Sequence, residues 1–224
     1  MEYKLGYVAF IDILGFSNYV SDESNGEKIK SFFSFVKKLC YLYDTSPELK
    51  TEVVSFSDSM VITSDNLDSI MIVIMLAECY LKDSLGLLFR GGIVYGKYYH
   101  EDNITFGPAV IMAYKLENIA SYSRIIIDKG ILNEDDECEL IYKDIDGFYC
   151  INPFGYVFHM GIEYGGDKLV YPEDISGTIL SNIKNYRKEL EESIHKWRGT
   201  LVVEKYLWRV RPFNYTCKLI SEMP

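Results

Sequence analysis

Histidine is scarce: His100, His159 and His195 are the only three, and none lies four residues from another. An HExxH zinc hydrolase needs two on one helix face, so that class is excluded. The five cysteines (Cys40, Cys79, Cys138, Cys150 and Cys217) are odd in number and lack any CxxC spacing. They exclude a disulfide scaffold or a zinc site, and read as reduced thiols in a cytoplasmic protein. Cations are also in deficit, 23 Lys and Arg against 33 Asp and Glu, for a net charge of −10. Such a surface repels phosphate backbones and anionic lipid, so neither nucleic acid nor a membrane is expected as a partner. Long apolar runs are missing too. Ser69 to Ala77 is about half the ~20 residues that span a bilayer, and Glu78, Lys82 and Asp83 follow it, so it reads as a buried helix. The first apolar run, Gly6 to Phe16, carries Asp12 and has no small-residue cleavage pattern, so no export signal is read there.

The chain does hold ample apolar mass. Of its 224 residues 48% are hydrophobic, enough for the core of one domain with an extension. Residues 7–14, YVAFIDIL, read as a strand buried on both faces, and 26–43 have apolar residues at helical spacing. TEVVSFSDSMVIT, 51–63, reads as a hairpin turning at Ser57-Asp58-Ser59. A helix capped by Asn66 or Asp68 should run to about Ser84. LLFRGGIVYGKYY, 87–99, is strand-like, its glycines hinting at bulges or close backbone approach. Residues 107–119 are helical with Pro108 in the first turn, and 124–128 and 138–153 supply further strands. After Pro172 a charged helix, Ile175 to Trp197, and a second piece, Val202 to Val210, precede Pro212. The βαββαβ order is the ferredoxin-like arrangement with additions. The expected architecture is α+β, with residues 1–172 as the main domain and 173–224 as a helical extension packed on it.

Two aspartates lie where strands end or turn. Asp12 interrupts an apolar strand, and an ionised carboxylate there is costly unless paired. Asp58 sits at the hairpin tip. If the two strands are neighbours, the carboxylates converge at one sheet edge and suit Mg²⁺ or Mn²⁺; taken singly, each is equally readable as a turn residue. Gly15 and Phe16 open a turn whose backbone N–H groups can hold phosphate, or merely join strand to helix. Arg90, beside Gly91 and Gly92, is either a surface ion pair or, if it points at the same edge, a phosphate ligand.

These residues carry a resemblance. Phe10-Ile11-Asp12-Ile13-Leu14-Gly15-Phe16-Ser17 resembles the first metal motif of class III nucleotidyl cyclases, and Ser57-Asp58 their second. Arg90-Gly91-Gly92-Ile93-Val94-Tyr95-Gly96 is similar to their triphosphate strand, and Phe106-Gly107 before AVIMAYKLEN to their interface helix. The purine readers are absent: the matching positions are Val54 and Ile104, and the ribose and transition-state positions are Ile111 and Lys115. With the later DGFYCINPF, the chain resembles most the Pycsar pyrimidine cyclases of bacterial anti-phage defence.

The resemblance implies a ferredoxin-like cyclase core and an enzyme that converts UTP to 3′,5′-cyclic UMP and pyrophosphate. A CTP cyclase making cyclic CMP, a catalytically silent nucleotide-binding or dimerisation module, and a more distant polymerase-palm relative are the alternatives. It implies two divalent ions, Mn²⁺ or Mg²⁺, on Asp12, Asp58 and the Ile13 carbonyl. Gly15, Phe16 and Arg90 would hold the phosphates, and Val54 would line the base site, where Phe56 or Tyr95 is a candidate to stack on a pyrimidine. Lys115 either offsets charge at the α-phosphate or is a solvated helix residue. A homodimer with composite sites is implied, with any effector reached through the cyclic nucleotide rather than by direct contact.

Overall fold

The structure, a computed structural model, describes residues 2–42, 51–132, 138–155, 163–165, 168–170 and 175–222. Its centre is β1 (Lys4–Leu14), followed by α1 (Phe16–Val20), α2 (Gly26–Leu42), β2 (Thr51–Phe56), β3 (Ser59–Ser64), α3 (Leu67–Leu85) and β4 (Leu88–Glu101). Next come β5 (Ile104–Phe106), α4 (Pro108–Ala120), β6 (Ile125–Ile127), β7 (Ile141–Lys143) and β8 (Tyr149–Ile151). The main sheet has eight strands in the order β2-β3-β1-β4-β6-β8-β7, with β5 paired to β4 outside that path. Among the described strands only β4 and β6 run parallel; the other pairs are antiparallel. Its first four positions are the ferredoxin-like order that the βαββαβ reading requires.

Alternation along β1 feeds two cores, because successive side chains point to opposite faces. Ala9, Ile11 and Ile13 join Phe32, Val36, Leu39, Ile74 and Phe89 beneath α2 and α3. Val8 faces the other way and packs with Val94, Ala109 and Ala113 beneath α4. The strand is therefore buried on both sides, as its unbroken apolar run requires. Asn66 starts α3 by accepting a hydrogen bond from the Ser69 N–H at 2.8 Å, and Gly86, at φ 69°, stops it.

Two short strands, β9 (Glu163–Gly165) and β10 (Lys168–Val170), form a separate ribbon. The expected boundary after Pro172 lies outside the described residues. Beyond it run α5 (Ile175–Lys196), α6 (Val203–Leu207) and α7 (Val210–Ser221). The second helical piece expected over 202–210 is instead two helices, and the chain stays helical through Pro212. That proline occupies the first turn of α7, where its missing N–H leaves no bond unmade.

The extension is anchored by buried polar contacts. Arg209 pairs with Glu78 of α3, which also accepts the Phe89 N–H at 3.1 Å. Asn152, after β8, donates to Thr216 Oγ1 of α7 at 2.8 Å and to the Glu139 carbonyl at 2.9 Å. Removing one member of such a set strands its partner, at a cost of about 1–3 kcal/mol for a neutral group and more for a charge.

Candidate active site

Strand register brings the predicted residues into rows. Asp12 lies directly opposite Ser59 on β3 and Arg90 on β4, and Ser59 lies opposite Phe56 on β2. Phe56, Ser59, Asp12 and Arg90 thus form one row across four strands, on the face that α4 covers. The next row inward is Val54, Val61, Phe10 and Gly92. The hairpin between β2 and β3 has only two residues, Ser57 and Asp58, with Ser57 at φ 55°. Its tip is tied to β1 by the Ile13 N–H, which donates to the Asp58 carbonyl at 2.8 Å. Asp12 and Asp58 therefore come together at one rim of the sheet.

Arg90 is held within this rim. Its Nη2 donates to Asp12 Oδ2 at 3.1 Å and its Nε to Glu117 Oε1 at 2.5 Å. Glu117 reaches it because α4 lies very close to β4. A side chain at Gly92 would bring a Cβ to 2.6 Å from Leu116 Cβ, so only glycine permits that approach. Burial raises the pKa of Asp12; Arg90 opposes that shift, and the neighbouring Asp58 charge adds to it. Burial likewise raises Glu117 against the pull of Arg90. A carboxylate pressed upward by burial and a like charge gains from a cation placed between the two acids.

Hard carboxylate oxygens suit Mg²⁺ or Mn²⁺ rather than zinc. Among the described residues no group of three or more His, Cys, Asp or Glu gathers as a metal cage. Two carboxylates are what a Mg²⁺ site needs when substrate phosphates and water complete its shell. The donor set fits such an ion.

The other predicted positions divide. Gly15 adopts the left-handed conformation, at φ 87°, that starts α1. The Phe16 ring is buried against Phe33, so only its backbone is available to a ligand. Ile13 is likewise buried in the core through its side chain. Phe56 is 82% exposed at the rim, and Val54 is half-buried in the row behind it. Tyr95 is not at this site: it lies opposite Tyr7, with ring centroids 4.9 Å apart, on the other face of the sheet. Lys115 is exposed on α4 and makes no ion pair among the described residues. Arg124 is buried against Asp144 and Asp146.

Two site residues escaped the sequence reading. Glu117 falls on the buried small-residue face of α4, with Ala113 and Ala120, and that spacing was the available signal. The charge of Lys205, on α6, also acts on both Asp12 and Arg90, and burial together with Arg90 lowers its own pKa.

No family model and no curated protein matches the chain. Its backbone is similar to a bacterial light-regulated adenylyl cyclase, with a TM-score of 0.50 and 17% identity over 68% of this chain. That match spans 54% of the bacterial chain, about half its length. It is also similar to the monomeric guanylyl cyclase domain of the RhoGC fusion protein from the aquatic fungus Blastocladiella emersonii. There the TM-score is 0.52 and the identity 13%, over 67% of this chain and 98% of that one. The chain has the α+β fold of the class III nucleotidyl cyclases. Among the described residues, no helix is long and apolar enough to cross a membrane.

Proposed function

We propose that the protein is a metal-dependent nucleotidyl cyclase that converts UTP to 3′,5′-cyclic UMP and pyrophosphate. The observation that carries this reading is the meeting of Asp12 and Asp58 at one rim of a cyclase-fold sheet, with Arg90 in register beside them. In the reaction the ribose 3′-oxygen bonds to the α-phosphorus, the bond from that phosphorus to the pyrophosphate oxygen breaks, and the hydroxyl proton passes to solvent water. Mn²⁺ or Mg²⁺, when bound, lowers the pKa of that hydroxyl and neutralises the departing pyrophosphate. Asp12, Asp58 and the Ile13 carbonyl would hold the ions. Arg90 and the backbone N–H groups at Gly15 and Phe16 would orient the phosphate chain. Val54 would line the base site with an apolar wall, and Phe56 offers an exposed ring for a pyrimidine to stack on.

The sites would be completed by a second copy of the chain. Ile111, Met112, Tyr114 and Ile119 stand roughly half exposed on the outer face of α4, and Ile104 and Phe106 extend that apolar surface onto β5. A patch of this kind marks an interface, and a two-fold contact through α4 would send Lys115 toward the partner's phosphates. The cyclic nucleotide would serve as the messenger of an anti-phage response, reaching its effector by diffusion.

A second reading, the catalytically silent module, draws on the engagement of Arg90 with both Asp12 and Glu117. Incubating the purified protein with each of the four NTPs and Mn²⁺ separates the two. A cyclic pyrimidine product that disappears in Asp58→Ala supports the cyclase. A folded dimer that turns over none of the four supports the silent module. CTP as the preferred substrate would correct the base and keep the mechanism.

A further inference from the structure

We propose that Lys205, on the C-terminal extension, is a substrate-binding residue of this same rim, presenting its ammonium to the phosphate chain of the nucleoside triphosphate. The inference rests on the cyclase reading for the identity of the substrate, but not for the presence of a polyphosphate site.

The placement follows from hydrogen bonds that lead step by step to the acidic rim. Ser123 Oγ donates to the Lys205 carbonyl at 2.6 Å, which fixes α6 on the turn between α4 and β6. The next residue, Arg124, accepts the Gly91 N–H at 3.1 Å through its carbonyl. Gly91 adjoins Arg90, and Arg90 binds Asp12. Flanking contacts keep α6 in this position. Trp208 stacks on Tyr122 with ring centroids 4.3 Å apart and lies 4.8 Å from the Arg124 guanidinium. One residue further, Arg209 enters its buried pair with Glu78.

The charges explain why a cation at this position points to a ligand. Arg90 already spends its Nε on Glu117 and its Nη2 on Asp12, so an incoming triphosphate must share it with two carboxylates. Lys205 is half-buried on α6, near enough for its charge to act on both Arg90 and Asp12, and makes no ion pair among the described residues. A partly desolvated ammonium near another cation, with no carboxylate in ion-pair contact among the described residues, is relieved by an anion. The extension would thus close the nucleotide site from within the same chain, in addition to anything a second copy supplies.

Inorganic tripolyphosphate with Mg²⁺ is the probe, because it tests the phosphate site without requiring turnover. Calorimetry on the full chain should show binding that weakens about 10- to 100-fold in Lys205→Met, the loss of one charge-assisted hydrogen bond. Lys205→Arg should stay within about 3-fold of the wild type, since it keeps the charge. Lys188→Met, which removes the same charge from an exposed position on α5, should change binding by less than about 2-fold. Should Lys205→Met fold poorly by thermal melting, Lys205→Gln takes its place. With UTP, the Lys205 loss should fall mainly on KM rather than kcat. Equal tripolyphosphate affinity in wild type and Lys205→Met overturns the proposal, as does a wild-type protein that binds no tripolyphosphate. Binding that depends on Lys205 without turnover of any NTP upholds this inference and removes the cyclase reading instead.

Discussion

Asp12 faces Arg90 of the neighbouring strand β4, and Asp144 faces Arg124, just before β6, and Arg211 of α7, yet their surroundings differ in a way that separates a site from a clamp. Around Asp144, fully buried, the charges are satisfied. Arg124 Nη1 and Arg211 Nη1 each donate to it at 2.9 Å, and the Ile145 N–H adds a third bond at 2.8 Å. The remaining Arg124 nitrogens are used as well, Nε on the Ala120 carbonyl at 3.1 Å and Nη2 on Asp146 at 2.7 Å. At the rim, one guanidinium is divided between Asp12 and Glu117, a second carboxylate adjoins on the hairpin, and Lys205 makes no ion pair among the described residues. The first cluster ties the extension to the sheet. The second is less fully paired, a pattern common at functional sites.

Substitutions should separate the two clusters sharply. The largest effect is expected from Asp58→Ala, which should lower cyclase turnover by about 10³-fold or more, since a divalent-ion ligand carries several kcal/mol of transition-state stabilisation. Its urea unfolding midpoint should hardly move, because the half-buried Asp58 side chain makes no hydrogen bond or ion pair among the described residues. Asp144→Ala should do the reverse. It strands the buried Arg124, and frees the partly exposed Arg211, and should cost about 3–5 kcal/mol in urea unfolding. Trp208→Ala bridges the two regions: loss of its stacking should cost about 2 kcal/mol and raise KM for UTP by loosening α6 beside Lys205.

The smallest expected effect concerns acid. Burial pushes the Asp146 carboxyl upward, but the hydrogen bond and charge of Arg124 outweigh it and hold the pKa below the ordinary value. Its contribution is therefore present above the unfolded pKa, near 4, and is lost as pH falls through the folded value. Asp146→Asn should be less stable than wild type by under about 1 kcal/mol at pH 7, since the group is partly solvated. That gap should close by pH 2 in urea titrations.

Much of the acidic rim was readable from residues alone. The apolar run broken by Asp12, the SFSDS turn and the glycines after Arg90 each have a local cause, and together they located β1, the hairpin and β4. Alternation also held the means to exclude Tyr95, which is five residues from Arg90 and so on the opposite face of its strand. Glu117 was harder to see, because a glutamate in a helix is ordinarily solvated and only the close approach at Gly92 makes it a partner for Arg90. Lys205 had no local signal at all. Its position depends on a hydrogen bond between residues 82 apart in sequence, and on a chain path in which Pro212 starts a helix rather than ending one.

Asp12 and Asp58, if they act together on divalent ions, should both be needed to bind them. Titrating Mn²⁺ into the protein with UTP at 4 °C, with free ion followed by electron paramagnetic resonance, tests it most directly. Two bound ions per site are expected in the wild type, with binding weakened in both Asp12→Asn and Asp58→Asn. Unchanged Mn²⁺ binding in either variant, with the fold intact, would contradict it.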